Sequence, residues 1–411
     1  MLNSKLDLND TAVFDEAPFF GDMVDPHALF RGLVERGGYV QEGKPRELAG
    51  LGSDPTLDPD APGFLVMGYD DSRQVLSDPL TFSNETYRGL RTSFGHNLLT
   101  MDPPEHTRYR RVIQKALLPS AIAGWASRYV QPVIDELLDE IAGTGRCDLL
   151  TAFIKPYPFD VIYRQLELPP EMTRQLRYLS SAVKSFQTNP EQAVAAGEEL
   201  RVFYEKIVRE RRDGNGQDLV SLIAGAEVDG ERLPEEIVVN FFRMLQSAAG
   251  DTTYRATATM MIGLLRDRPD QLEMIRADRS LVNRAIDEAL RWDGPQFQAS
   301  RWAMRDTTVG GVNIPAGAIA YVMTGMANRD PRRFPDPDRF DIMRENLNQQ
   351  LGFLAGPHIC VGKHVARLEM TRALNAMLDR LPNLRLDPDY PPPAARGSVL
   401  RWTDHLYVRF D

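Results

Sequence analysis

The sequence predicts a mainly α protein with minor β sheets, built as a single large domain over residues 1–411. Three observations carry this expectation. From about 103 to 292 apolar residues recur at helical spacing, as in "VQPVIDELLDEIA". Strand-like text is confined to about 26–80, 299–326 and 385–411, as in "GFLVMGY" and "WAMRDTTVGGVNIPAGAIAYVMTG". No repeat, low-complexity tract or Ser/Gly linker divides the 411 residues, a length that buries an extensive core.

Composition narrows the partners. Apolar residues make up 43% and charged residues 26%, ordinary globular values, and the formal net charge of -10 argues against a nucleic-acid backbone as ligand. The start, "MLNSKLDLNDTAVFDEAPFF", has no apolar signal core, and no run of about 20 apolar residues is present to span a bilayer. A cytoplasmic protein without a membrane anchor is expected. Cys147 and Cys360 are the two cysteines, too few for a disulfide framework, which suits a reducing compartment.

In chain order, residues 26–80 mix a short helix with strands, and the helix-rich part follows. Within it, Pro234 suits the first turn of a helix and Pro269 follows its end; about 35 residues between them span roughly 50 Å. The middle of that helix, "AAGDTT" (248–253), spends a Gly, an Asp and two Thr where better helix formers would fit, at a cost of about 1 kcal/mol for the glycine alone. Such a cost invites a functional reading. The next helix carries Glu288 and Arg291 in "DEALRW", three residues apart on one face. A Pro/Asp/Arg-rich meander, "NRDPRRFPDPDRFDIMRENLN", then leads into "FLAGPHICVGKHVARL", so that meander and cysteine loop together occupy 328–364. The last residues, "SVLRWTDHLYVRF", read as a closing hairpin.

Cys360 poses the chemical question. A thiol at a helix start faces unpaired N–H groups and the positive end of the helix dipole, which favour the thiolate and hence metal ligation. A buried structural thiol is the alternative. A zinc site made by His358, Cys360 and His364 is a further one, although the paired spacing of such sites is missing.

Taken together and in order, "MDPPEHTRYRR", "SAAGDTT", "EALR", "FPDPDRF" and "GPHICVG" resemble the cytochrome P-450 family, in its soluble bacterial form, along essentially the whole chain. The resemblance implies a helix-rich triangular prism with a small β-rich region, and haem b as the cofactor with O2 as co-substrate. Cys360 matches the axial haem thiolate. Phe353, Gly356, His358 and Gly362 match the surrounding signature. His106, Arg110 and Arg301, with His358, match positions that bind the haem propionates, a task suited to charge-assisted hydrogen bonds. Glu288, Arg291 and Arg339 match a structural ion-pair triad. Asp251 and Thr252 match an acid–alcohol pair that delivers protons during O2 activation, and the small Ala248, Ala249 and Gly250 would open a groove beside them. Two positions depart from the family pattern: Leu354 and Ala249 stand where glycine is usual, and Leu354 is expected to disfavour a positive φ and to turn the loop differently.

By the same resemblance the substrate pocket involves Leu98, Leu99, Val183, Phe186, Met244, Ala248, Phe297 and Val399, an apolar set that suits a hydrophobic substrate. Arg88 and Arg91 are candidates for a substrate carboxylate. The implied activity is hydroxylation or epoxidation of a small-to-medium hydrophobic molecule: a terpenoid, steroid, fatty acyl or aromatic compound. No reductase domain fits, so electrons would come from a ferredoxin-type partner with its reductase, docking on a basic patch of Arg108, Arg111 and Lys363. A monomer is expected. A peroxide-driven peroxygenase and a non-catalytic haem-binding sensor are the competing readings.

Overall fold

The computed structural model describes residues 6–7, 14–54 and 56–411. Helices dominate, and strands are few and short. The principal sheet has five strands in the order Val40–Glu42, Gly63–Val66, Ile319–Val322, Ala299–Ala303 and Phe82–Ser83. Its inner strands Gly63–Val66 and Ile319–Val322 run parallel, with Ala320 opposite Phe64 on one side and Arg301 on the other. Both are buried on both faces, which is why they read as continuous apolar runs rather than alternating ones.

The C-terminal segment differs from the expected hairpin. Tyr407–Arg409 pairs with Arg385–Leu386 and with Arg146–Asp148, joining three distant parts of the chain. Within 396–410 no ladder forms; Arg396 and Trp402 make one isolated bridge, and Leu400 bridges to Gln296 instead. Residues far apart in sequence supply the partner strands, so local pattern could not identify them.

The long central helix runs from Glu235 to Ile262 and continues through one wide turn, Gly263–Asp267, before Pro269 begins the next helix. Pro156–Gln165, Pro190–Arg211 and Val282–Asp293 pack around it. Close approach explains one of its glycines: a Cβ on Gly250 would sit 2.4 Å from the Phe159 ring. Gly250 therefore serves helix packing rather than the groove expected of it. Among the described residues, no helix is long and apolar enough to cross a membrane.

The meander is fastened by a buried charge cluster. Arg291 donates to both oxygens of Glu288, at 2.6 and 2.8 Å, and to the carbonyls of Asn328, Pro337 and Arg339. The third member is Arg344, whose Nε lies 3.1 Å from Glu288 Oε1. Arg339 does not fill that place: its side chain is exposed, and its carbonyl is what accepts from Arg291 and Arg344. The loop path turns the Arg339 backbone inward and so directs its side chain out. Buried ions are tolerated here because both Glu288 oxygens and every guanidinium nitrogen of Arg291 and Arg344 have a hydrogen-bond partner.

Candidate active site

Cys360 lies three residues before the first residue of the helix Lys363–Arg380. Its loop is shaped by a turn over Gly356–His358 and by Cys360 N donating to Phe353 O at 2.9 Å. Gly356 has φ +69°, and a Cβ there would meet Leu76 O at 2.1 Å, so no other residue fits without moving the loop. A Cβ on Gly362 would meet nothing within 4 Å, so packing within the protein does not demand that glycine. Leu354 overturns the expectation made for it. It takes φ +61°, the conformation a glycine would supply, and packs against the cluster of Val75, Leu76 and Phe82 beneath the sheet. The backbone takes the glycine-like conformation despite the side chain, and packing offsets a cost of about 1–2 kcal/mol.

The thiol opens onto a cavity whose opposite wall is the central helix. Leu98, Leu99, Phe241, Met244, Leu245, Ala248 and Thr252 line it, with Arg110, Arg301, Phe353 and His358 around the sulfur end. Burial pushes the Cys360 thiol up, while the Gly362 N–H, Arg110 and Lys363 act in the opposite sense. A cation bound at the sulfur would settle this contest in favour of the thiolate. Among the described residues no three His, Cys, Asp or Glu side chains converge as a metal site, which removes the zinc reading. Cys147 and Cys360 are both free thiols; Cys147 sits in the strand Arg146–Asp148, its pKa pushed up to about 12 by burial and by Asp148.

Beside the sulfur sits a basic cluster that lacks an anion. The rings of His106 and His358 stack at 3.9 Å. Both nitrogens of His106, Nε2 of His358 and Nη2 of Arg301 are buried without a hydrogen-bond partner among the described residues. The nearby carboxylate of Asp102 is already engaged by Ser83 Oγ and Asn84 N. Burial, followed by Arg110, lowers His106 to about 4; burial, His106 and the two arginines lower His358 to about 2. Buried donors without partners cost about 1–3 kcal/mol each, and an anion bound here would satisfy them. A thiol on one side and an anion-deficient His/Arg cluster on the other fit a metalloporphyrin with carboxylate arms.

The comparisons with known proteins agree. The cytochrome P-450 family profile matches residues 183–401. The chain belongs to the cytochrome P-450 family. It is 36% identical to the cytochrome P-450 monooxygenase PikC of Streptomyces venezuelae, over 82% of this chain and 85% of that one. It is 34% identical to the 6-deoxyerythronolide B hydroxylase of Saccharopolyspora erythraea, over 85% and 90%. Among solved structures it resembles CYP109E1 from Bacillus megaterium in complex with testosterone, with TM-score 0.80, 26% identity and coverage of 93% and 98%. This cytochrome P-450 therefore uses haem iron and O2, acts on a small molecule as a monooxygenase, and receives electrons from a redox partner.

Several residues of this P-450 stand elsewhere than expected. Val183 is fully buried in the helical core, and neither it nor Phe186 or Val399 lines the cavity. Phe297 packs instead against His27 and Phe30, while Pro295 and Gln296 face the cavity. Arg91 is held by Glu85 and by Thr100 O, and Arg88 lies over Trp302 near Asp58, so neither points at a substrate. Arg108 and Arg111 are paired with Asp229 on the turn between Glu227–Val228 and Glu231–Arg232, at 3.1 and 2.8 Å. The expected basic patch is partly covered by this acidic hairpin. Arg110 donates to Ile359 O at 2.5 Å, bracing the residue before the thiol.

Sequence reasoning missed Asn84, whose Nδ2 reaches Leu99 O at 2.8 Å and His358 Nδ1 at 3.1 Å, tying the cavity loop to the cysteine loop. It also missed Arg255. Here a signal existed: four residues after Asp251, it falls on the same helix face.

Proposed function

We propose that this P-450 is a haem b monooxygenase that hydroxylates or epoxidises a small-to-medium hydrophobic substrate with electrons from a ferredoxin-type protein. The observation carrying this reading is the placement of Thr252 and Ala248 on the cavity wall opposite Cys360. Cys360 would ligate the iron, and His106, His358, Arg301 and Arg110 would hold the propionates. When bound, the haem supplies the redox chemistry that activates O2. The protein's own contribution is to orient groups, exclude water and move protons.

Thr252 Oγ1 donates to Ala248 O at 2.9 Å, which holds the hydroxyl in place on the cavity wall. Asp251 is not on that wall. It faces the other side of the helix, bonded to Lys184 and Arg255, so the two residues bridge the cavity and a separate polar region. This arrangement supports delivery of protons to Thr252 from outside the apolar chamber. Leu98, Leu99, Phe241, Met244 and Leu245 supply the apolar chamber, and Gln296 offers one hydrogen-bonding amide. A terpenoid or steroid bearing one polar oxygen suits this set.

The test is turnover with NADH, a ferredoxin and its reductase under isotopically labelled O2, over a panel of terpenoids, steroids, fatty acids and aromatics. One labelled oxygen atom in the product is expected. Product formation with hydrogen peroxide alone, and none with the electron-transfer system, would reject the monooxygenase reading.

A further inference from the structure

The thiol site leaves one charge cluster unused. On the far side of the central helix a cavity of about 590 Å³ is walled by Phe14, Glu16, Phe20, Lys184, Asp251 and Tyr254. Asp251 is 5% exposed; Lys184 Nζ lies 2.9 Å from its Oδ1, and Arg255 contacts both oxygens at 3.2 Å. Two cations on one buried carboxylate hold it well below the usual carboxylate range, although burial alone acts in the opposite sense. A relay through Asp251 therefore depends on how far the two cations are drawn away from it by other partners.

Arg255 is not committed to Asp251 alone. Its Nη1 lies 2.6 Å from Glu16 Oε2 and donates to Arg401 O at 2.9 Å. Phe20 and Tyr254 place their rings 5.0 and 4.9 Å from the guanidinium carbon. Glu16 is itself held by Tyr254 OH at 2.5 Å and by Lys155 Nζ at 3.6 Å. The guanidinium is thus shared between two carboxylates, one four residues away on its own helix and one near the start of the chain. The other charged groups bordering this cavity are Asp15, Glu171, Arg174 and Arg177, the last paired with Asp160.

We infer that Glu16 is a positioning residue for the oxygenation reaction: by holding part of Arg255 it keeps Asp251 loosely enough bound to pass protons from water in this cavity toward Thr252. In each transfer a proton from bulk solvent reaches Asp251 through the cavity water, Asp251 gives a proton onward toward Thr252, and both the carboxylate and the neutral water are restored. Neutralising Glu16 leaves the full charge of Arg255 on Asp251 and tightens the grip. The inference rests on the proton-delivery reading of Asp251 above.

The experiment needs no organic substrate. The haem-loaded full-length protein is supplied with NADH, a [2Fe–2S] ferredoxin and its reductase, and the peroxide and water formed from O2 are measured in light and heavy water. For Glu16→Gln the share of O2 released as peroxide is expected to rise several-fold, with a larger solvent isotope effect and unchanged haem content. Removing the competing cation as well, in Glu16→Gln/Lys184→Gln, is expected to bring both values back toward those of the parent. Independently of turnover, limited chymotrypsin digestion of Glu16→Gln should cut faster after Phe20, with global unfolding unchanged. If Asp251→Asn shifts the peroxide share and Glu16→Gln does not, or if digestion is unaltered, the inference falls while the relay stands. If Asp251→Asn leaves the products unchanged, the relay and this inference fall together.

Discussion

His106 and His358 stack at 3.9 Å with their planes 31° apart, and among the described residues both nitrogens of His106 and Nε2 of His358 have no hydrogen-bond partner. Two rings in this position avoid mutual repulsion only by staying neutral. The pair is therefore held in the neutral form, with ring N–H groups free to donate to an anion.

This has a consequence for stability against pH. The folded pKa of His106 is lowered to about 4 from an ordinary 6.5, so the unfolded chain takes up a proton first. The stability that neutral His106 contributes is complete above pH 6.5 and is lost as pH falls from 6.5 toward 4. If the whole shift is expressed, the loss is on the order of 3 kcal/mol. Urea midpoints of haem-free protein should fall across that window, and His106→Asn should flatten the slope. Haem should reduce the slope as well, because propionates raise the folded pKa.

Arg344 and Arg339 separate cleanly. Arg344 meets the fully buried Glu288, whereas the Arg339 side chain is exposed. Arg344→Ala is expected to destabilise by about 2–3 kcal/mol, because it leaves a buried carboxylate short of a donor. Arg339→Ala should stay within about 0.5 kcal/mol. Denaturation midpoints of the two variants compare them directly; equal losses would return Arg339 to the triad.

Gly356→Ala tests the loop that carries the thiol. With φ at +69° and Leu76 O at 2.1 Å from the new Cβ, the loop must shift. The expected result is a destabilisation above about 2 kcal/mol, together with loss of haem during purification. Haem absorbance per polypeptide is the readout.

The hairpin that covers Arg108 and Arg111 makes a prediction about electron transfer. Asp229 and Glu231 lie where an acidic partner would contact these arginines. Exposed pairs are worth about 0.2–1 kcal/mol each, so Asp229→Asn/Glu231→Gln should strengthen docking of an acidic ferredoxin about two- to fivefold and steepen its salt dependence. Reduction rates measured against ferredoxin concentration and ionic strength check this. Unchanged rates would place docking on another face.

The grouping of the candidate haem-binding residues was legible because they lie close together in sequence, where covalent spacing fixes geometry. Cys360, His358, Gly356 and Phe353 belong to one loop, and His106 and Arg110 to one helical face. What was not legible depends on facing and on loop path. Gln296 and Phe297 are adjacent in an extended segment and point to opposite sides, so the expected pocket residue and the observed one differ by a single step. Arg339 and Arg344 are both plausible in the meander, and only the folded path shows which guanidinium turns inward. Leu354 shows the converse: intrinsic preference argued against a positive φ, and apolar packing under the sheet prevailed. Glu16 and Arg255 are 239 positions apart, beyond the reach of any local pattern.

The measurement that tests the central claim most directly is the spectrum of the reduced, carbon monoxide-treated protein, recorded for the parent and for Cys360→His with haem content quantified in both. The strongly red-shifted Soret band of thiolate ligation is expected in the parent, and its loss is expected in Cys360→His while haem is still bound. An unchanged band in Cys360→His, or a parent that binds haem without showing the band, would contradict the assignment of Cys360 as the ligand.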